Sequence, residues 1–200
     1  MASFVYGKRE GTLIIDLEKT VEKLNEALNF IKEVTLSGGV ILFVGTKPYA
    51  KEIVKEKAEE TGMPYIVERW LGGMLTNFET VQRRINYFNQ LRNLLDSEEL
   101  KKYTKKERLL KEREFKKLNI YFKGVENLNK LPDAIFVIDP HHEAIAVDEA
   151  NKLNIPVIAL IDVDGDPDKV TYPIPGNDDT RSAIEYIVNK VAEAILNAKK

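Results

Sequence analysis

The 200-residue sequence has no cysteine, only two histidines and only one tryptophan. It also lacks any apolar run near the roughly 20 residues that a membrane-spanning helix needs. Without cysteine there is no disulfide, no thiolate metal site and no thiol nucleophile, which fits a reducing compartment. The histidines, His141 and His142, are neighbours. Adjacent side chains diverge on any regular element, so they chelate one ion poorly even beside Asp139 and Glu143. They read as a loop pair at a helix start, and no metal site is expected. No Ser-His-Asp pattern stands out. The first residues, MASFVYGKREGT, have neither the apolar stretch of a secretory signal nor the Arg- and Ser-rich, acid-poor make-up of an import leader. Glycine-rich phosphate loops are missing too. Gly45-Thr46-Lys47 follows an apolar run, but it matches neither G-x-x-x-x-G-K-[ST] nor G-x-G-x-x-G. It reads as a βα turn with Pro48 in the first helical turn.

What is present is an ordinary globular composition, 44% hydrophobic and 31% charged, with a chain long enough for one well-cored domain. The net charge of -2 hides an asymmetry. Residues 80–123 hold 13 Lys and Arg against 6 Asp and Glu, leaving 17 basic and 26 acidic residues elsewhere. A basic arm on an acidic body suggests an anionic partner for the arm; a solvated helical hairpin is the plainer alternative.

Apolar periodicity predicts a helix from Asp16 to Leu36, capped by Asp16 and ended by Gly38-Gly39. VILFVG (40–45), AIFVID (134–139) and IPVIALID (155–162) read as strands buried on both faces. Residues 64–67 read as a short strand, and TYPIP (171–175) as an edge strand because of its prolines. Helices are expected over 47–61, from about 143 to 153, and in the last twenty residues. There Ser182 and Glu185 offer a capping box, with Asp179 as an alternative start. Strands alternating with helices predict an α/β fold, a doubly wound parallel sheet with helices on both faces. Between the second and third strands, Val81, Ile85, Phe88, Leu91 and Leu95, then Leu110, Leu118, Tyr121, Val125 and Leu128, keep helical spacing. They predict an inserted antiparallel, coiled-coil-like helical hairpin over 79–123, with Thr104 and Glu107 as a capping box and a basic tip near 101–106. The sheet domain would comprise 1–78 and 124–200.

Two stretches invite chemistry. DVDGDPD (162–168) resembles the nucleophile motif of haloacid-dehalogenase-type phosphotransferases, which would make Asp162 and Asp164 the catalytic pair of a Mg²⁺-dependent enzyme. Asp166 stands where that motif has Thr, Pro167 follows, and only 38 residues remain for the other catalytic groups. A turn at a strand end is the better reading. RWLGGMLTNF (69–78) joins a cation, an indole and paired glycines to a helix start. Trp70 reads as an anchor for the hairpin root, Gly72 and Gly73 as close-packing positions, and Arg69 as an RNA contact.

Several motifs then coincide: Gly7-Lys8-Arg9-Glu10-Gly11 through Leu17, Phe43 to Lys47, Arg69 to Asn77, Leu131 to Asp139, Ala146 to Pro156, Asp166 to Asp168, and Pro173 to Asp179. Together they resemble the bacterial-type small-subunit ribosomal protein numbered two, the S-two family, from about Val5 to the last helix. The resemblance implies a flavodoxin-like domain with a projecting helical hairpin. It implies a structural, non-enzymatic role on the small subunit, without cofactor, small-molecule substrate or membrane. It further implies partners: small-subunit rRNA and neighbouring ribosomal proteins, including the large one numbered one. The setting it implies is a cytoplasmic ribosome, an organellar one being the alternative. Family members usually carry an H-F-G-H segment ahead of the Gly7 stretch, whereas this sequence starts almost directly at Phe4-Val5-Tyr6-Gly7. Val163-Asp164 stands where a Thr-Asn pair is usual, and Asp164 disfavours a nearby phosphate.

The residues expected to neutralise rRNA phosphates are Arg9, Lys47, Arg69, Arg83, Arg84, Lys105 and Lys106, with Lys8, Thr76 and Asn77 as weaker candidates. Gly176, Asn177, Asp178 and Asp179 are expected to fix a turn and cap the last helix, because their acids repel phosphate. A hairpin that docks a protein partner is the other alternative.

Overall fold

The computed structural model describes residues 1–9 and 11–199. Glu10 of the Gly7–Gly11 stretch lies outside the described residues. The apolar runs form a five-stranded parallel sheet of β3 (Ile41–Val44), β4 (Tyr65–Ile66), β5 (Ala134–Ile138), β6 (Val157–Ile161) and β7 (Tyr172–Pro175). Its order is β4-β3-β5-β6-β7, the doubly wound flavodoxin-like order. Strands β3, β5 and β6 are buried throughout, as their unbroken apolar character predicts. Successive side chains point to opposite faces. Ile41 and Phe43 join one core cluster with Ile31 of α1 (Leu17–Leu36), Val54 of α2 (Pro48–Thr61) and Val188 of α6 (Arg181–Ala198). Leu42 and Val44 join a second with Ile85 and Phe88 of α3 (Phe78–Leu95) and Val147 of α5 (Ala144–Lys152). The proline-bearing β7 is an edge strand, as expected; β4, at the other edge, pairs only at Phe43–Tyr65 and Val44–Ile66.

The caps follow the sequence in part. The Asp16 carboxylate accepts the N–H groups of Glu18 and Lys19 at the start of α1. The box of Thr104 and Glu107 is formed at the start of α4 (Lys105–Phe122). The box at Ser182 and Glu185 is not. Helix α6 begins at Arg181, and its N-cap Thr180 makes no side-chain bond. Asn177 Oδ1 accepts the N–H groups of Asp179 and Thr180 at 2.9 Å, turning the chain into the helix. A short antiparallel pair, β1 (Val5–Arg9) and β2 (Thr12–Ile15), stands apart from the main sheet. Local pattern predicts no strands there, because charges and glycines blur so brief an alternation.

Helix α3 buries Ile85, Phe88 and Leu91, so it is also a layer helix of the sheet. Helix α4 buries only Phe122 and rides on α3, where the rings of Phe88 and Phe115 stack 5.4 Å apart. After α4 the chain passes under β4 at Gly124. A Cβ on Gly124 would lie 2.2 Å from the Tyr65 carbonyl oxygen and 2.6 Å from its ring. Backbone on one side and a buried ring on the other cannot both yield. Gly124→Ala is therefore expected to cost about 3 kcal/mol, read as a lower urea midpoint.

Candidate functional site

The stretch RWLGGMLTNF is wrapped around a carboxylate. Glu149 projects from α5 and is buried. Its Oε1 accepts the Trp70 indole N–H at 3.1 Å and the Gly73 N–H at 2.7 Å. Its Oε2 accepts the N–H groups of Leu75 and Thr76 and the Thr76 hydroxyl, each at 3.0 Å. Burial pushes the Glu149 carboxyl up. The N–H groups of Thr76, Gly73 and Leu75 and the indole outweigh that push and hold it below the usual carboxylate range. Trp70 itself is 6% exposed, in the cluster shared with α3 and the sheet. The two glycines differ. Gly73 has φ 90°, a conformation that favours glycine, whereas a Cβ on Gly72 would meet nothing within 4 Å, so Gly72 is no close-packing position. Converging N–H groups ahead of a helix form an anion nest. Here the protein fills that nest with its own anion.

The carboxyl ends of the strands gather a second set. Lys47 follows β3, Asp139 follows β5, Asp162 follows β6, and Asp178 and Asp179 follow β7. Lys47 and Asp139 face each other across the point where the strand order reverses, the usual ligand crevice of such sheets. Lys47 Nζ lies 2.5 Å from Asp139, 2.8 Å from Asp178 and 2.8 Å from Asp179. Asp139 takes a left-handed φ of 63°, and its Oδ1 accepts the N–H groups of His141 and His142. Burial lowers the Lys47 pKa, but hydrogen bonds to Asp139, Asp178 and Asp179 more than reverse this and keep the ammonium charged. One ammonium is too little for its neighbours. Burial, with the charges of Asp139 and Asp162, pushes Asp178 up to about 6 despite Lys47. The turn before α2 is filled in the same way, since the Thr46 N–H donates to the buried Glu143 carboxylate at 2.8 Å.

The other expected cations lie on the surface. Lys8 and Arg9 are exposed on β1, Arg69 after β4, Arg83 and Arg84 on α3, and Lys105 and Lys106 in the first turn of α4. Among the described residues, Arg69, Arg84, Lys105 and Lys106 have no carboxylate within ion-pair distance; Arg83 pairs with Glu79. Asn77 is the N-cap of α3 without a side-chain bond, so its amide is open, while Thr76 is engaged by Glu149. Lys47 offers no free charge to a phosphate, and Asp178 and Asp179 bind Lys47 in place of capping α6. A cavity of ≈ 580 Å³ lies at the opposite, amino end of the strands, lined by Gly38, Gly39, Pro64 and Gly124, away from all these groups.

The sequence model of the family described as Ribosomal protein S2 matches residues 1–198. The chain belongs to that family. It is 48% identical to the small ribosomal subunit protein uS2 of Deinococcus radiodurans over 196 residues, covering 98% of this chain and 74% of that one. With uS2 from two strains of Thermus thermophilus, identity is 49% over 198 residues, covering 99% of this chain and 77% of those. The family makes this chain a structural, non-enzymatic constituent of the small ribosomal subunit, acting in translation. That disposes of the phosphotransferase alternative for Asp162 and Asp164. Among the described residues no helix is long and apolar enough to cross a membrane.

Proposed function

We propose that the chain holds small-subunit rRNA through phosphate contacts of Arg69, Arg83, Arg84, Lys105 and Lys106, with Lys8, Arg9 and Asn77 at the margin, on a cytoplasmic ribosome. The observation that carries this is the placement of exposed cations along α3, its link to α4 and the first turn of α4, on a body that is otherwise acidic. The Arg83–Glu79 pair is exposed on both sides, and such pairs are worth little, so phosphate can replace Glu79. Lys47 leaves the set, because three carboxylates already hold it. Neighbouring ribosomal proteins, the large one numbered one among them, are the second class of partner. Leu109, Leu110 and Ile120 are exposed on α4 and suit an apolar protein neighbour.

Co-sedimentation with small subunits stripped of their own copy tests this reading. Binding is expected to be stoichiometric at low salt and to fall steeply as salt rises. Arg83→Glu with Arg84→Glu is expected to weaken it and to flatten the salt slope by about 2. Equal binding of both proteins at every salt concentration would remove the hairpin from the RNA contact. Binding that survives high salt and nuclease would assign α4 to a protein neighbour.

A further inference from the structure

We propose that Asp162, Asp178 and Asp179 form a binding site for a hard divalent cation, Mg²⁺ or its analogue Mn²⁺, at the carboxyl edge of the sheet. Each of the three offers an oxygen, and these oxygens lie within 4.8 Å of one another. A separation of this order suits ligands on one ion at about 2.0–2.6 Å from each oxygen. Proximity of acids alone would prove nothing, since exposed carboxylates often cluster. The second observation is Asp178 Oδ2. Asp178 is 2% exposed, and its Oδ2 is the one buried side-chain oxygen or nitrogen without a hydrogen-bond partner among the described residues. Its other oxygen takes the Lys47 ammonium. A buried carboxylate oxygen with no donor is costly, and a cation beside it removes the cost.

Charge balance points the same way. Asp139, Asp162, Asp178 and Asp179 together carry four negative charges, and Lys47 supplies one positive charge. Of these acids, Asp162 has one oxygen engaged by the Val163 N–H at 2.6 Å, which fixes its carboxylate and leaves the other free. The ligand set is all oxygen, without histidine or thiolate, the kind that suits the hard and abundant Mg²⁺, Mn²⁺ or Ca²⁺. Three carboxylates leave room for the waters that Mg²⁺ retains. The ion would sit beside Lys47 and join the loop after β6 to the loop after β7. It would therefore tie down the entry to α6 without chemistry of its own.

The test uses the purified chain without RNA. Mn²⁺ binding is followed by electron paramagnetic resonance, and the urea midpoint is followed against MgCl₂ with ionic strength held constant by NaCl. One saturable Mn²⁺ site is expected, with Kd on the order of 0.1–1 mM. Mg²⁺ should compete for it, and the midpoint should rise as the site fills. Asp178→Asn keeps the shape and the Lys47 hydrogen bond, and is expected to weaken Mn²⁺ binding at least about tenfold. Asp162→Asn, on the separate β6 loop, should do the same, while Asp164→Asn, outside the cluster, should leave binding unchanged. Absence of saturable binding by the folded wild type overturns the proposal. So does binding that both cluster variants retain at full affinity.

Discussion

Glu149→Ala is expected to destabilise the isolated protein by about 3–5 kcal/mol, because it strips the shared acceptor from a set of hydrogen-bond donors, two of them buried. The five hydrogen bonds on this carboxylate come from residues 73 to 79 positions away in the chain. Without it, the Trp70 indole and the N–H groups of Gly73, Leu75 and Thr76 lose their acceptor, and those of Trp70 and Leu75 are buried. Each such orphan costs about 1–3 kcal/mol unless the loop opens to water. Opening is cheaper, so the total stays below the sum. Glu149→Gln should fall between wild type and alanine. It keeps one oxygen but turns an amide N–H₂ toward donors. Trp70 is the only tryptophan, so its fluorescence reports this loop directly. The folded carboxyl titrates below the unfolded value of about 4.3. The stability it adds is fully present above that value and is lost as pH falls through the lower folded one. The alanine variant should lack this acid-side loss. An alanine variant that unfolds at the wild-type midpoint would show that the clamp stabilises nothing.

Lys47→Met should be nearly as damaging, at about 3–5 kcal/mol. Methionine fills a similar length but leaves Asp139, Asp178 and Asp179 facing one another without a cation. Asp139 is also held at φ 63°, a conformation that persists only when its surroundings enforce it. The measurement is urea unfolding of the purified chain at low ionic strength. It separates two roles for this lysine. A surface cation that serves only RNA would shift stability by less than about 0.5 kcal/mol when removed. A midpoint within that range would return Lys47 to the RNA-binding set and weaken the account of the acidic edge. Lys105→Met, in the exposed first turn of α4, is the matched comparison.

These two residues also mark where the sequence could be read and where it could not. The buried strands, the Asp16 cap, the Thr104–Glu107 box and the β7 edge all rest on local patterns, and all are present. The Glu149 clamp rests on a contact across more than seventy residues, which no local pattern reports. One signal was available. Ala146, Glu149 and Ala150 stand at helical spacing on one buried face of α5, so a charge there required a partner. The acidic edge was hidden for a different reason. Lys47, Asp139, Asp162 and Asp178 each follow a different strand, and only the strand order brings them together. Lys47 alone resembled a phosphate-binding cation, because a strand, a glycine and a lysine are also how such sites begin. Its neighbours, not its type, take it out of that role.

The long reach of the Glu149 clamp also bears on synthesis. Residues 73 to 76 are made well before their acceptor, with separations of 73 to 76 positions. At about 5–20 residues per second, the loop waits roughly 4–15 s for Glu149 to be made. During that interval the N–H groups of Gly73, Leu75 and Thr76 lack the acceptor that holds them in the folded protein. The loop ahead of the basic arm is thus translated early and clamped late. A nascent chain halted before residue 149 would carry its cations without the carboxylate that clamps the loop before them.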